Sequence, residues 1–182
     1  IHLAAQAGVR YSLINPKSYY ESNIVGFSNI IEISHANNVK KFIFASSSSV
    51  YGDKKRYPLN ETEKIYPKNI YSASKKLNED IASDVSKISK MQMIGLRFFT
   101  IYGKWGRPDM LIFSFLKSAK EQKIYYLNDY GNHVRDFTHI DDVLIIINKL
   151  IKKKINQKFQ IFNICSNNPI KINFLISRMQ NY

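Results

Sequence analysis

Cysteine is almost missing from these 182 residues: Cys165 stands alone, so no internal disulfide can form. A lone thiol fits a reducing, cytosolic setting. Long apolar runs are missing too. The longest, Val143 to Ile147, has five residues, against the ~18 that would read as a membrane-spanning helix. The chain opens on Ile1-His2-Leu3-Ala4-Ala5, without an initiator methionine or a basic-then-apolar signal pattern. It closes on Phe174 to Tyr182, the start of an amphipathic helix with no Gly or Pro stop. Both ends therefore read as cut, and the chain as an internal fragment. No cluster of His, Cys, Asp and Glu has metal-ligand spacing. Acidic residues are few: 14 Asp and Glu stand against 27 Lys and Arg, a formal charge of +13. The basic residues are 21 Lys and only 6 Arg, beside 26 Ile, a bias that genome composition produces as readily as a functional surface does. A nucleic-acid binder gathers its basic residues on one face. Here Lys40-Lys41, Lys54-Lys55-Arg56 and Lys152-Lys153-Lys154 are scattered at element ends. Anionic small ligands stay compatible with the charge.

What is present is an ordinary globular composition, 45% apolar and 23% charged, which excludes intrinsic disorder. The length suits one domain, or one domain and part of another. Strand-like and helix-like segments alternate, which predicts an α/β fold. Ile1 to Ala4 reads as the end of a buried strand, followed by a loop through Pro16. Tyr19 to Ala36 reads as a helix with Ile24, Phe27, Ile30 and Ile31 on its apolar face. Lys41 to Ala45 is a strand that Ser46 to Ser49 ends. A helix from about Tyr71 to Lys90 and a strand from Met91 to Phe99 follow. Asp109 is positioned to cap a helix to about Gln122. Short strands flank Asp129-Tyr130-Gly131, a helix runs from about Asp141 to Lys152, and Phe159 to Ile164 is a strand. Strands joined by helical crossovers imply a parallel sheet covered on both faces. Ligands of such sheets sit at the carboxyl ends of the strands, here after Ala4, Ala45 and Phe98.

Two stretches carry chemistry. In Tyr71-Ser-Ala-Ser-Lys75, residues four apart share one helix face. An ammonium near a phenol favours the phenolate, which can then act as a general base on an alcohol. The plain alternative is an amphipathic helix with a snorkelling lysine. In Phe42-Ile-Phe-Ala-Ser46-Ser47-Ser48-Ser49-Val50-Tyr51-Gly52, hydroxyls stand at a strand's carboxyl end, where one could hydrogen-bond a substrate oxygen. The plain alternative is a serine turn that satisfies its own backbone.

Together they resemble the extended short-chain dehydrogenase/reductases, the NAD-dependent epimerases and dehydratases of nucleotide sugars. The resemblance covers nearly the whole chain. It includes His2-Leu-Ala-Ala-Gln-Ala7, Tyr19-Tyr20-Glu-Ser22-Asn23-Ile-Val-Gly26, Leu96-Arg97-Phe98-Phe99-Thr100-Ile-Tyr102-Gly103, and Arg135-Asp136-Phe137 followed by Ile140-Asp141-Asp142. Gly103-Lys-Trp105-Gly106-Arg107-Pro108-Asp109-Met110 and the serine quartet are most similar to UDP-glucuronate 4-epimerases. Dehydratases carry an acidic pair where this chain has Ser48 and Ser49, which supply no carboxylic acid for elimination. Two departures are visible. The family's Gly-x-x-Gly-x-x-Gly loop, which brings backbone amides to the cofactor pyrophosphate, is absent from the chain, with the strands it joins. Cys165 and Asn167 replace the glycines of the usual Asn-Ile-Gly-x-Gly.

The resemblance implies an incomplete Rossmann-like, doubly wound parallel sheet with part of a smaller α+β substrate domain. Residues 1–103 and 136–164 would form the NAD-binding part, and 104–135 with 165–182 the substrate part. It implies NAD as cofactor, a UDP-sugar as substrate, neither nucleic acid nor membrane as partner, and inversion at C4 through a transient 4-keto sugar. Tyr71 would be the base, Lys75 would lower its pKa and bond the nicotinamide ribose, and Ser47 would bond the 4-oxygen. Leu3, Ala4, Ala5, Ser22 and Phe99 would line the cofactor. Ser48, Ser49, Thr100, Arg107 and Arg135 would face the substrate, Arg107 and Thr100 holding the sugar carboxylate and Arg135 the phosphates. For Arg107 the plain alternative is a surface arginine, and for Arg135 a salt bridge with Asp136. His2 and His139 are read as structural, and Cys165 as a small core residue. The resemblance also implies an upstream half of roughly 75 residues, and a homodimer through the helices beginning at Tyr19 and Tyr71. Three other readings stay open: a UDP-glucose 4-epimerase, a sugar-nucleotide 4,6-dehydratase, and a non-catalytic basic protein that binds nucleotides or nucleic acid.

Overall fold

The first half of the chain forms α1 (Val9–Ile14), α2 (Pro16–Tyr19), α3 (Gly26–Ala36), β1 (Lys41–Ser47), α4 (Ile70–Ile88) and β2 (Gln92–Phe98). The second half forms β3 (Thr100–Tyr102), α5 (Leu111–Lys120), β4 (Val134–His139), α6 (Ile140–Lys152), β5 (Phe159–Ile164), β6 (Pro169–Lys171) and α7 (Ile172–Gln180). The structure is a computed structural model that describes residues 1–54 and 57–180. Lys55 and Arg56 of one basic run, and Asn181 and Tyr182 of the last helix, lie outside the described residues. The chain divides into two units, Ile1–Phe98 with Leu150–Ile164, and Phe99–Lys149 with Cys165–Tyr182.

The first unit is α/β. Its sheet is parallel, in the order β1-β2-β5, with Phe44 opposite Gly95 and Gly95 opposite Ile161. Along β2, Met93 to Arg97 are all buried. Successive side chains of a strand point to opposite faces, so five buried in a row mean that both faces are covered. On one face Phe42, Phe44, Met93 and Ile161 form a core with Phe27 and Ile31 of α3 and Ala82 of α4. Gly95 makes room there: a Cβ would come 2.5 Å from Ile161 Cδ1 and 2.8 Å from Phe44 Cζ. Lys41 donates to the Leu150, Ile151 and Lys153 carbonyls, so this member of a basic run closes a helix end.

Several local expectations are corrected. Ile1 to Ala4 pairs parallel to β1, but only through His2 opposite Phe44. Ile1 and Leu3 are exposed, because no strand pairs on their other side among the described residues. The loop expected before Pro16 contains α1, entered by a turn at Gly8 (φ 105°) and tied by the Tyr19 hydroxyl to the Ala7 carbonyl. Between α2 and α3 runs a π-helical segment, Tyr20–Val25. Its wider turns rotate the helix face, so the buried stripe is Tyr19, Asn23, Phe27 and Ile31, while Ile30 is exposed. Asp109 does not cap α5, whose N-cap is Met110.

The second unit is α+β. β3 pairs parallel with β4, and β4 pairs antiparallel with β6. Each of β3 and β6 is three residues long, too short for a periodic signal. Asp129 and Tyr130 (φ 48° and 50°) form the expected turn. β4 follows it, but the expected strand on its other side is not formed: among the described residues no strand lies between α5 and the turn.

Candidate active site

Ser47 ends β1 in extended backbone and caps the turn Ser48–Tyr51. Its Oγ accepts from the Ser49 amide (3.2 Å) and the Ser49 hydroxyl (2.9 Å). A serine oxygen has two lone pairs and one proton. Both lone pairs are thus engaged, and the Ser47 proton is left as a donor. The turn does satisfy its own backbone, as the plain reading required, and in doing so it orients Ser47. Ser49 spends its own proton on Ser47; Ser48 is half-buried beside it.

α4 begins with a capping box in which Asn69 Oδ1 accepts from the Ser72 amide and Ser72 Oγ accepts from the Asn69 amide. That fixes Tyr71 in the first helical turn, where the positive end of the helix dipole favours an anionic side chain. The Tyr71 ring meets Tyr19 edge-on at 6.3 Å. One turn later Lys75 is only 4% exposed and donates to the Ala45 carbonyl at 2.9 Å. It is therefore not a snorkelling lysine. Burial pulls its pKa down to about 8, and its ammonium carries three donors, of which one is spent on Ala45. No salt bridge reaches it among the described residues. Burial, then the Lys75 charge, also lowers the pKa of His2, which packs against Phe27 and Phe42. In this unit Ser47, Tyr71 and Lys75 are brought to one end of the sheet by β1 and α4.

The loop after His2 is held by Asn23, whose Oδ1 accepts from the Gln6 amide (2.8 Å) and whose Nδ2 donates to the Gln6 carbonyl and to Ser74 Oγ (both 3.0 Å). Leu3 and Ala4 are exposed in that loop, Ala5 is half-buried, and Ser22 is exposed on the π-helical segment. Asn23 escaped the sequence reading, although a polar residue inside the stripe Tyr19, Phe27, Ile31 was a usable signal. Glu79 and Arg97 escaped it too. They form a buried ion pair, and Arg97 interrupts an otherwise apolar buried strand.

In the second unit Phe99 is half-buried. Thr100 and Arg107 line one cleft with Tyr102, Phe113 and Phe137. Arg107 presents Nε (3.0 Å) and Nη2 to the Asp109 carboxylate, and this guanidinium holds the Asp109 pKa down. Arg135 is exposed and donates to the Val134 carbonyl. The Asp136 alternative is not formed, because that carboxylate accepts from Ser166, Asn168 and Thr138 instead. His139 lies 3.4 Å from Asp141. Cys165 is half-buried. No group of three or more His, Cys, Asp or Glu is placed to hold a metal ion among the described residues, and no helix among them is long and apolar enough to cross a membrane.

Residues 1–165 match the model of the NAD dependent epimerase/dehydratase family. The chain belongs to that family. UDP-glucuronate 4-epimerase 5 of Arabidopsis thaliana is 41% identical over 99% of this chain and 45% of its own length. A UDP-glucuronic acid 4-epimerase from Bacillus cereus, solved with UDP-glucuronic acid and NAD, superposes with a TM-score of 0.92 at 29% identity, over 100% of this chain and 59% of its own. A UDP-glucose 4-epimerase from Thermotoga maritima, solved with UDP-glucose, has a TM-score of 0.91 at 28% identity, over 99% and 59%. The chain spans about half the length of the curated relatives it matches.

The residues present fit the nicotinamide ribose of a dinucleotide. A buried ammonium keeps two donors beyond its Ala45 bond, close enough to the His2 loop to lower the His2 pKa. The pyrophosphate loop has no counterpart in the chain, so these residues answer for that one end alone.

Proposed function

We propose that the complete protein is an NAD-dependent UDP-sugar 4-epimerase and that its substrate is UDP-glucuronate. The observation that carries this reading is the Lys75 bond to the Ala45 carbonyl. It draws α4, with Tyr71, onto the end of β1, where the Ser47 proton is uncommitted. Tyr71, as phenolate, takes the proton of the sugar 4-hydroxyl, and Ser47 donates a hydrogen bond to the 4-oxygen. Lys75 favours the phenolate and holds the cofactor ribose, with Leu3, Ala4, Ala5, Ser22 and Phe99 lining the cofactor. Bound NAD supplies a reversible hydride acceptor, so that the sugar is oxidised and reduced with no net redox change.

The uronate assignment rests on chemistry that the 4-keto sugar imposes. With a carboxylate at C6 it is a β-keto acid, which loses carbon dioxide when the breaking bond aligns with the carbonyl π system. An arginine fork and a hydroxyl in one cleft, Arg107 and Thr100, can hold the carboxylate out of that alignment. Asp109 occupies the Nε/Nη2 side of that fork as an internal carboxylate, a pairing that supports the reading. Ser48 and Ser49 flank the reacting sugar in this reading and Arg135 pairs with the diphosphate. Absence of a carboxylic acid at Ser48 and Ser49 weighs against the dehydratase reading. A cytosolic homodimer, with the helical run from Tyr19 and the helix that carries Tyr71 at its two-fold axis, completes the reading; exposed Val25 and Ile33 on the first and Leu77 on the second support it.

The test is a two-product assay of the full-length enzyme on UDP-glucuronate beside UDP-glucose. Arg107→Ala is expected to release UDP-pentose and carbon dioxide alongside the epimer, and to leave turnover of the neutral sugar within about threefold, since one lost charge-assisted contact to the carboxylate is absent there. Equal wild-type kcat/KM on both sugars would move the assignment to UDP-glucose.

A further inference from the structure

Arg97 and Glu79 form a pair with only 4% and 5% of their side-chain surfaces exposed. Arg97 Nε and Nη2 meet Glu79 Oε1 and Oε2 at 2.9 and 2.8 Å, a bidentate fork. The pair does not close on itself. Glu79 Oε1 also accepts from Ser46 Oγ at 2.5 Å. Arg97 Nη1 donates to the Tyr51 hydroxyl at 2.8 Å, and the guanidinium lies 4.8 Å from the centre of the Tyr51 ring. Tyr51 in turn donates to Asn163 Oδ1 on β5 at 2.7 Å. Ser46 and Tyr51 are the two ends of the segment that carries Ser47. Glu79 stands four residues after Lys75 and eight after Tyr71, on the same face of α4.

We propose that the Glu79–Arg97 pair is a positioning clamp that grips the Ser47 turn at both ends, through Ser46 and Tyr51, and fixes Ser47 relative to Tyr71 and Lys75. Neither Glu79 nor Arg97 touches substrate in this arrangement; both act through Ser47. A simple staple between β2 and α4 would need the fork alone. Of the three further bonds, one goes to the residue before Ser47 and one to the end of the turn after it, and the third, from Arg97 Nη1 to the Glu61 carbonyl (3.2 Å), ties the loop that follows. Burial raises the Tyr51 pKa, so its hydroxyl keeps its proton, shared between Asn163 Oδ1 (2.7 Å) and the Asn60 carbonyl (3.0 Å). The catalytic consequence of the clamp rests on the epimerase reading above; its structural action does not.

The test cuts the ties and leaves the ion pair in place. Ser46→Ala/Tyr51→Phe removes two hydroxyls from the full-length protein. Amide hydrogen exchange of residues 48–52 is expected to rise at least about tenfold, with β2 protection unchanged, because only the local opening becomes easier. On the enzyme's UDP-sugar substrate, kcat is expected to fall by about 10²-fold, the size of effect a 1 Å misplacement produces, with KM within about threefold. A residue that serves stability alone would lower the unfolding midpoint and leave kcat of the folded protein intact. Unchanged exchange in residues 48–52 overturns the clamp, and so does faster exchange with undiminished kcat. If the wild-type protein turns over no UDP-sugar, the epimerase reading fails, and the exchange measurement still decides whether the clamp exists.

Discussion

Lys75→Met is expected to make the protein more stable and inactive. Lys75 is 4% exposed, with the Ala45 carbonyl as its one acceptor among the described residues, and its pKa falls from 10.5 to about 8. A depression of that size corresponds to a penalty of about 3 kcal/mol on the charged form. Methionine has similar length and no charge; against the relief stands about 1 kcal/mol for the lost hydrogen bond to Ala45. The net expectation at pH 7 is a gain of about 2 kcal/mol in the dinucleotide-free protein. The sign depends on pH in a defined way. Below about pH 8 the lysine is protonated both folded and unfolded, so the wild type carries the full penalty. Between about 8 and 10.5 the unfolded chain holds more protons, and wild-type stability rises with pH. Above that window the penalty is gone, and the variant should be the less stable of the two, by about the lost hydrogen bond. Urea unfolding of both proteins at pH 7 and pH 10.5 measures the crossing. A variant that is less stable at pH 7, or a difference that does not change between the two pH values, would refute the reasoning.

Tyr71→Phe in the full-length enzyme is expected to lower kcat by about 10²–10⁴-fold, the usual share of a general base, with NAD affinity nearly unchanged by fluorescence titration; retained turnover would remove Tyr71 from the reaction. Gly95→Ala is expected to cost about 1–3 kcal/mol by overpacking, because its Cβ would press on Phe44 and Ile161; a chemical-denaturation midpoint equal to wild type would mean that the sheet yields there.

The α/β class and the strand–helix order were legible because short β-branched and aromatic runs and helical spacing survive tertiary context. Ser47, Tyr71 and Lys75 were legible for another reason, their fixed spacing in a motif. Periodicity would not have found them. The buried face of α4 is Ser72, Ser74, Lys75, Asn78, Glu79, Ala82 and Ser86, a row of small and polar residues that any hydrophobic period assigns to solvent. Arg97 and Glu79 were illegible because each looks like a surface charge alone; only the fold shows that each is the other's solvent. α1 was missed because tertiary bonds hold it, among them the Tyr19 hydroxyl on the Ala7 carbonyl. Asp109 was read as a helix cap because its position suits one, but an arginine fork two residues earlier outcompetes a single backbone amide.

Glu79 had a second possible partner, and the choice between them bears on the chemistry. Lys75 precedes it by four residues, a spacing at which a lysine and an acid can pair on a helix, though in the weaker of the two orders. Had they paired, the carboxylate would have compensated the buried ammonium and raised its pKa. In the proposed mechanism it would also have weakened the Lys75 field on which the Tyr71 phenolate depends. Arg97 prevents this by taking both carboxylate oxygens in a planar fork, a geometry that a lysine point charge cannot match. Lys75 is left with the Ala45 carbonyl, a neutral acceptor that orients it without neutralising it. The penalty of about 3 kcal/mol on Lys75 and the buried pair one turn away are therefore one arrangement. In the proposed mechanism, the charge that serves the phenol stays uncompensated because Arg97 holds the Glu79 carboxylate.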